Sequence, residues 1–191
     1  HYRYTMDKKL LREIIFPLLK RSINLYRHLI FTGEDGKLHL PPTFSPELGI
    51  FTDCSFDLAL LKWGCKKLIE ICGILEINDS LKTEWEWIIN ELVDYPVDEN
   101  GYMIGREKTG PQDHQHMSHL MMIYPLYLEN TETCKNKELL IKSVMNYQPR
   151  GMVKMAASQS SPAAAALGMG NLALQRMNDI LYTVTESETL G

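Results

Sequence analysis

The sequence predicts an all-α fold with about seven helices, and three observations lead to this prediction. Apolar residues recur every three or four positions over most of the chain, which is the period of a helix. Helical segments and polar loops follow one another repeatedly along the chain. No stretch alternates strands with helices, which excludes a chain of the Rossmann type.

Length and composition favour a globular domain over a disordered chain. The 191 residues are 45% hydrophobic and 23% charged, which suffices for one domain with a sizeable core. The net charge is −4 and no basic stripe is present, so we predict neither nucleic acid nor a membrane as a partner. No apolar run is long enough to span a bilayer. The chain opens at His1 without an initiator methionine, so we interpret it as a piece of a longer protein.

The first predicted helix covers residues 8–31, and a long loop follows it. Apolar residues in this helix keep the helical period, and Pro17 predicts a kink. Residues 32–56 are rich in Gly, Pro, Thr and Asp, and residues 37–40 predict a small strand within them. A loop of this length in a compact domain is usually functional.

The second and third helices follow this loop. Ser55 is a predicted N-cap of the second helix, and Gly73 is its predicted end. The third helix, over residues 80–93, places Trp85 on its apolar face and Trp87 off that face. We therefore predict that Trp85 belongs to the core.

A polar loop over residues 95–113 separates these helices from the C-terminal ones. A fourth helix is predicted from His116 to Tyr124, where Pro125 limits it. Ser161 and Pro162 form a predicted N-cap and first position for a later helix. The remaining helices are predicted at residues 136–146, 162–167 and 171–182, with Gly168 and Gly170 between the last two.

Glu47 is the leading candidate for catalysis. It lies in the segment Thr-Phe-Ser-Pro-Glu of residues 43–47, between two helical stretches. General acid catalysis needs a carboxylic acid that can give its proton to a leaving oxygen. Pro46 stiffens the chain before Glu47, and Phe44 and Phe51 predict an apolar wall beside its carboxyl group. A solvated loop glutamate is the alternative interpretation.

Three histidines form a second candidate cluster, at His114, His116 and His119. His116 and His119 are three residues apart and would share a helix face. We predict that they hydrogen-bond a polyol substrate or position neighbouring side chains, with a purely structural role as the alternative. The spacing is not that of an HEXXH motif and no acidic ligand lies one turn away, so we predict no metal.

Asp53 and Asp57 flank the start of the second helix. Either carboxylate is a candidate substrate contact. Helix capping and pairing with the helix macrodipole are the structural alternative.

Several segments, taken in order, carry a family resemblance. Residues 1–11 and 17–19 resemble a helix of the pattern HY…TGD…L…PLL, and residues 45–47 resemble an SPE loop. Residues 114–120 with 124–125 resemble the signature HRHxSHL…YP, and residues 163–168 resemble closing helices. All of these are features of the catalytic domain of glycoside hydrolase family 95, the α-L-fucosidase and α-L-galactosidase family.

The resemblance implies a fold, a reaction and a location. It implies that residues 1–191 are the C-terminal portion of a single (α/α)6 toroid of helical hairpins, which needs the remaining N-terminal part of the barrel as its partner. It implies an inverting acid/base hydrolase that removes terminal α-L-fucosyl or α-L-galactosyl residues from glycans without a cofactor. Glu47 would be the acid, and the asparagines on the base side would lie before His1. A bacterial, exported protein, periplasmic, secreted or on the cell surface, is implied as well.

The sequence also departs from the family pattern. Gln115 stands where the family usually has arginine, which removes a fixed planar cation. The stretch around Gly151, where an aspartate is expected, has none. These departures favour one alternative, a non-catalytic helical module that binds glycan or a partner. Another (α/α)6 carbohydrate-active enzyme is a further alternative in the same broad fold.

Overall fold

A computed structural model describes residues 1–111, 114–132, 134–148 and 153–185. Helices dominate this part of the chain, and strands occur there only as three antiparallel two-stranded pairs, which confirms the predicted all-α class. The chain forms two compact units, His1–Pro41 with Leu60–Asp94, and Pro42–Ala59 with Tyr95–Gly191. Among the described residues, every helix is too short or too polar to cross a lipid bilayer.

The first unit opens with the predicted long helix. A short α1 (Tyr2–Thr5) precedes that helix. The helix itself consists of α2 (Lys8–Leu10), a π-helical turn (Leu11–Ile15) and α3 (Phe16–Leu29). Asp7 starts α2 because its carboxylate accepts a hydrogen bond from the backbone N–H of Leu10, at 2.9 Å. The interruption predicted at Pro17 takes the form of the π-helical turn just before it. Proline has no N–H to donate and its ring crowds the preceding turn, so the helical ladder is rearranged there.

The apolar stripe that predicts this helix is only partly buried; it consists of Leu11, Ile14, Ile15, Leu18, Leu25 and Leu29. Leu11, Phe16 and Ile23 are buried, whereas Leu18 and Leu25 are more than half exposed. Helical period alone does not say which of two neighbouring apolar stripes packs inward, because that depends on the partner element. Ile23 packs closely against such a partner at Gly64. The approach is so close that an added Cβ at Gly64 would lie 2.1 Å from the Cδ1 atom of Ile23.

The strand predicted at residues 37–40 is present. β1 (Phe31–Thr32) pairs antiparallel with β2 (Leu38–His39). The chain reverses between them at Gly36, whose φ of 77° suits glycine. The predicted long loop is therefore partly a hairpin in this unit.

Two further helical segments complete the first unit. α4 (Ser55–Leu75) enters it from Leu60 onwards, and α5 (Lys82–Glu91) follows. Trp85 is completely buried and Trp87 is 47% exposed, which confirms the core position predicted for Trp85. Salt bridges join Arg27 to Glu84 and Lys20 to Asp79, each at 2.5 Å. They are partly exposed, so each contributes little beyond orientation.

The end predicted for α4 at Gly73 is wrong by two residues. The helix continues to Leu75, and Glu76 takes the left-handed conformation that ends it, with φ of 54°. The N–H of Ile77 donates to the carbonyl of Cys72 at 2.9 Å, which is the bond that closes a Schellman motif. Glycine prefers this position, but the closing hydrogen bond holds a glutamate in it here.

The described residues of the second unit form two strand pairs and three further α-helices. β3 (Thr43–Ser45) pairs with β4 (Gly49–Phe51), and β5 (Val97–Asp98) pairs with β6 (Gly101–Tyr102). The helices are α6 (Lys137–Asn146), α7 (Val153–Ala166) and α8 (Gly170–Thr185). Asn136 caps α6 through a hydrogen bond from the N–H of Leu139. The predicted loop over residues 95–113 contains the second of these hairpins, and its last two residues lie outside the described ones.

The predicted fourth helix is wrong. Only Ser118–Leu120 form a helical element, a 3₁₀ turn, and non-helical turns follow it to Leu126. The segment is short and ends against Pro125, and an α-helix of so few residues is not stable by itself. Contacts with distant residues determine its path instead, among them the contact between the Ser118 and Ser45 hydroxyl groups.

The start predicted for α7 at Ser161 and Pro162 is also wrong. The helix begins eight residues earlier than Ser161, at Val153, and Pro162 lies inside it. Its buried residues are small, among them Ala156, Ser160 and Ala164, so α7 and α8 pack closely side by side. This packing outweighs the local preference of proline for a first turn. Gly168, with φ of 75°, separates α7 from α8 as predicted, whereas the stretch at residues 149–152 lies outside the described residues.

Candidate active site

A tight β-hairpin displays Glu47. Ser45 pairs with Gly49 at the end of the β3–β4 ladder, so residues 46–48 form the turn. The N–H of Leu48 donates to the carbonyl of Ser45 at 3.0 Å, and Glu47 itself has a φ of 58°. Few residues other than glycine adopt this left-handed conformation, and such positions cluster at functional sites. The Glu47 side chain is 58% exposed.

Two contacts hold the β3 strand in place. The Ser45 and Ser118 hydroxyl groups are buried and lie 3.0 Å apart. On the same face of the strand, the Thr43 hydroxyl donates to Asp57 Oδ2 at 2.5 Å. Phe44 faces the other way and is 61% exposed. Phe44 therefore does not contribute to the apolar wall that was predicted from it and Phe51, because strand alternation turns its ring to the opposite face.

Two side chains of the histidine segment approach one carboxylate oxygen of Glu47. The Gln115 side-chain amide donates a hydrogen bond to Glu47 Oε2. The Nε2 atom of His116 lies 3.4 Å from the same oxygen. The hairpin tip and the histidine segment, which are far apart in sequence, thus meet at this oxygen.

His114 shapes the backbone next to this contact. Its Nδ1 atom accepts a hydrogen bond from the backbone N–H of His116 at 3.1 Å, and the two imidazole rings are 5.6 Å apart. Its backbone carbonyl accepts a hydrogen bond from the Tyr147 hydroxyl at 2.5 Å. His114 therefore connects His116 to a residue at the end of α6.

A cavity of about 270 Å³ opens beside the Glu47 hairpin. It lies next to Glu47 through Pro46, which precedes it, and through His116, which approaches its carboxylate. Its walls are mostly apolar with a few polar groups, the usual composition of a small-molecule site. The lining residues are Pro46, His116, Met117, Ser118, Met121, Tyr124, Pro125 and Gln159.

His119 lies in the interior and does not line the cavity. It is 2% exposed, and its ring packs edge-on against Tyr147 with 5.6 Å between centroids. An added Cβ at Gly110 would lie 2.8 Å from His119 Cδ2 and 2.5 Å from the Tyr102 carbonyl oxygen, so glycine is required there. Burial lowers the pKa of His119 to about 3. Its Nδ1 atom has no hydrogen-bond partner among the described residues.

The burial of His119 predicts a pH-dependent stability. The folded protein keeps this ring neutral down to about pH 3, whereas the unfolded chain takes up a proton below about pH 6.5. Above pH 6.5 the free energy of unfolding therefore does not depend on the protonation of this ring. Below that pH the free energy of unfolding decreases as the pH falls, by up to about 1.4 kcal/mol per pH unit. The free energy of unfolding can be measured with denaturant at several pH values between about 6.5 and 4. It should depend less steeply on pH in His119→Gln than in the wild type. Equal dependences in the two proteins would contradict the neutral buried state.

Asp53 and Asp57 both lie buried beneath the hairpin. Asp53 is completely buried, has φ of 48°, and accepts a hydrogen bond from Arg106 Nε at 2.5 Å. Asp57 is 5% exposed and accepts the Thr43 hydrogen bond. These contacts fix the chain between the hairpin and α4. The substrate contact predicted for either aspartate stays a prediction.

The described part of the chain does not bring three His, Cys, Asp or Glu side chains together in an arrangement that could hold a metal ion.

The Ser55 hydroxyl, predicted as an N-cap, donates to the carbonyl of Met103 at 2.6 Å. It therefore ties the start of α4 to the β5–β6 region and does not cap the helix.

Sequence comparison decides the family. The family model described as the glycosyl hydrolase family 95 catalytic domain matches residues 1–190. The chain belongs to glycoside hydrolase family 95. This family 95 chain is also similar to "Alpha-L-fucosidase 2" of Arabidopsis thaliana, with 26% identity over 158 residues. The match covers 75% of this chain and 18% of that protein, so the chain spans less than a fifth of the length of this curated relative.

The family 95 site combines predicted and unpredicted residues. The structure brings Glu47, His114 and His116 together as one cluster, whereas His119 lies in the interior behind it. The sequence does not indicate that Tyr147 contacts the histidine segment. It follows α6 directly, and no local pattern marks a tyrosine there as a partner of the histidine segment. The role of Gln115 was likewise visible only as a departure from the family pattern.

Proposed function

We propose that this family 95 chain is part of a glycoside hydrolase that removes terminal α-L-fucosyl or α-L-galactosyl residues from glycans with inversion. Glu47 is the general acid in this proposal. The observation that carries it is the placement of the Glu47 carboxylate on a hairpin tip, with Gln115 and His116 at one oxygen and a cavity alongside.

The geometry supports the acid role in three ways. A general acid must come within hydrogen-bond reach of the leaving oxygen, and the exposed Glu47 carboxylate is accessible to a glycan. Gln115 and His116 hold one of its oxygens, so the carboxyl group is oriented before the substrate arrives. The adjoining cavity can take a sugar ring and its apolar lining excludes water from it.

An inverting enzyme also needs a base on the opposite face of the sugar, about 6.5–9.5 Å from the acid. We assign that side to residues outside this chain. In this proposal residues 1–191 form the C-terminal portion of one (α/α)6 barrel, and its N-terminal part is their structural partner. The helical hairpin of α7 and α8 suits such a ring, and the chain covers a small share of its curated relative. The location that we propose is periplasmic, secreted or on the cell surface.

A substrate panel tests the proposed reaction in the intact protein. We expect turnover of aryl α-L-fucosides or α-L-galactosides and little of the corresponding α-D-glucosides or β-D-galactosides. Proton NMR at early times should show the β-anomer of the released sugar as the first product, as inversion requires. Release of the α-anomer would contradict the inverting mechanism.

A non-catalytic glycan-binding module is the second candidate. Gln115 favours it, because this amide lies beside Glu47 at a position where the family usually has arginine, so a fixed cation is missing there. The panel separates the two functions. A binder would show saturable glycan binding by calorimetry and no turnover of any aryl glycoside.

A further inference from the structure

The path of the histidine segment, residues 114–119, is held mainly by side chains. Its regular structure is limited to the 3₁₀ turn at its end, so helical hydrogen bonds do not determine where Gln115 and His116 lie. Ser118 anchors the segment to Ser45 from one side, at 3.0 Å. The Tyr147 hydroxyl anchors it from the other side by donating to the His114 carbonyl at 2.5 Å. The residues that reach Glu47 lie between these two anchors.

Tyr147 is itself rigidly placed. It is 1% exposed, follows the last residue of α6, and packs its ring edge-on against His119. A side chain buried in this way occupies one rotamer, because the surrounding atoms leave no room for another. The position of its hydroxyl group, and therefore of the His114 carbonyl, is fixed by the core of the second unit.

Arg176 holds the backbone of Tyr147. This arginine of α8 is 6% exposed, and its Nη2 atom donates to the carbonyls of Tyr147 and Val144, at 2.8 and 2.7 Å. Its Nη1 atom donates to the carbonyl of Ser160 in α7, at 3.0 Å. A cation at the C-terminal end of α6 also satisfies carbonyls that have no partner within the helix. One guanidinium thus ties three helices together at the residue that anchors the histidine segment.

We infer that Tyr147 is a positioning residue for the acid, a role that rests on the proposed function. Its hydroxyl group sets the position of the His114 carbonyl. This carbonyl sets where Gln115 and His116 lie, and these two side chains orient Glu47. Tyr147 touches neither the substrate nor Glu47 in this arrangement, so its contribution passes through the histidine segment.

Tyr147→Phe in the intact protein tests this role. The substitution keeps the ring and its contact with His119, and it removes the hydroxyl group that donates to the His114 carbonyl. We expect kcat to fall by about 3- to 30-fold on aryl glycosides with poor leaving groups, with KM little changed. On glycosides with very acidic leaving groups the fall should be less than about 3-fold, since those need little proton donation. Equal losses on both classes would overturn the inference.

Ser161→Ala is the matched control. The Ser161 hydroxyl is also buried and also donates to a backbone carbonyl, that of Ala173 at 2.9 Å, which lies in α8 and outside the histidine segment. Both variants should lose stability to a similar extent in thermal melts. Only Tyr147→Phe should show the loss that depends on the leaving group. The same dependence in Ser161→Ala would mean that general destabilisation causes it and would overturn the positioning role.

A double variant separates failure of this inference from failure of the proposed function. If Tyr147 acts through Glu47, adding Tyr147→Phe to Glu47→Gln should lower kcat by less than about 2-fold further. A full additional loss would overturn the inference while leaving Glu47 as the acid. Wild-type turnover in Glu47→Gln alone would overturn the proposed acid, and the positioning role with it.

Discussion

Glutamine in place of Glu47 will lower turnover of natural glycosides by the intact protein by about 10²- to 10⁴-fold, the usual contribution of a general acid. The amide cannot give up a proton to the leaving oxygen. Its shape and most of its hydrogen bonding are retained, so substrate affinity should change little. Steady-state kcat and KM on a natural glycan measure both effects.

The pH dependence of Glu47→Gln should change in one direction. In the wild type, activity falls on the alkaline side when the acid has lost its proton. The variant has no proton to lose at this position, so its residual activity should lack that alkaline limb. Glu34→Gln is a matched control, because Glu34 is also an exposed glutamate near the turn of a β-hairpin. Its turnover and pH profile should equal those of the wild type.

Alanine in place of Trp85 will lower the free energy of unfolding by about 3–5 kcal/mol, as expected for the loss of a completely buried tryptophan. The ring fills the core of the first unit beside α3, where Lys20 Nζ lies 5.9 Å from its centroid. The remaining cavity cannot fully collapse, which adds to the lost burial. Denaturant unfolding followed by circular dichroism measures the difference.

Trp87→Ala is the control for this loss. Trp87 lies two residues away on the same helix but is 47% exposed, so its removal should cost about 0.5 kcal/mol or less. Similar losses in both variants would contradict the different burial of these two tryptophans.

The sequence predicted best where local periodicity and packing agree. The first helix and the core position of Trp85 follow from apolar residues at helical spacing, and both are present. Helical spacing did not predict which face of the first helix is buried, because Ile23 is buried by packing against Gly64 of α4. Such a choice depends on the partner surface, which a local pattern does not contain.

Long-range contacts explain the segments that were predicted wrongly. Residues 116–124 have the composition of a helix, but the Ser118 bond to Ser45 and the Tyr147 anchor determine their path. Likewise α7 runs through Pro162, because close packing of small residues against α8 outweighs the helix-start signal. Each case is a tertiary override of a local preference.

The candidate site was predicted in part. Glu47 and His116 were predicted separately, from chemistry and from family resemblance. The structure places the Nε2 atom of His116 3.4 Å from the Oε2 atom of Glu47. The strand alternation that turns Phe44 outward was not foreseen, because the hairpin itself was not predicted. Tyr147 has no local signal, since its role arises only when the end of α6 meets the His114 carbonyl.

The dependence of turnover on the leaving group tests the acid role of Glu47 most directly. Wild type and Glu47→Gln would be compared on aryl glycosides that share one sugar and differ in the acidity of the phenol. We predict a loss of about 10²- to 10⁴-fold for the most basic phenols, shrinking to less than about 10-fold for the most acidic ones. An equal loss for every phenol, or no loss for any, would contradict Glu47 as the proton donor.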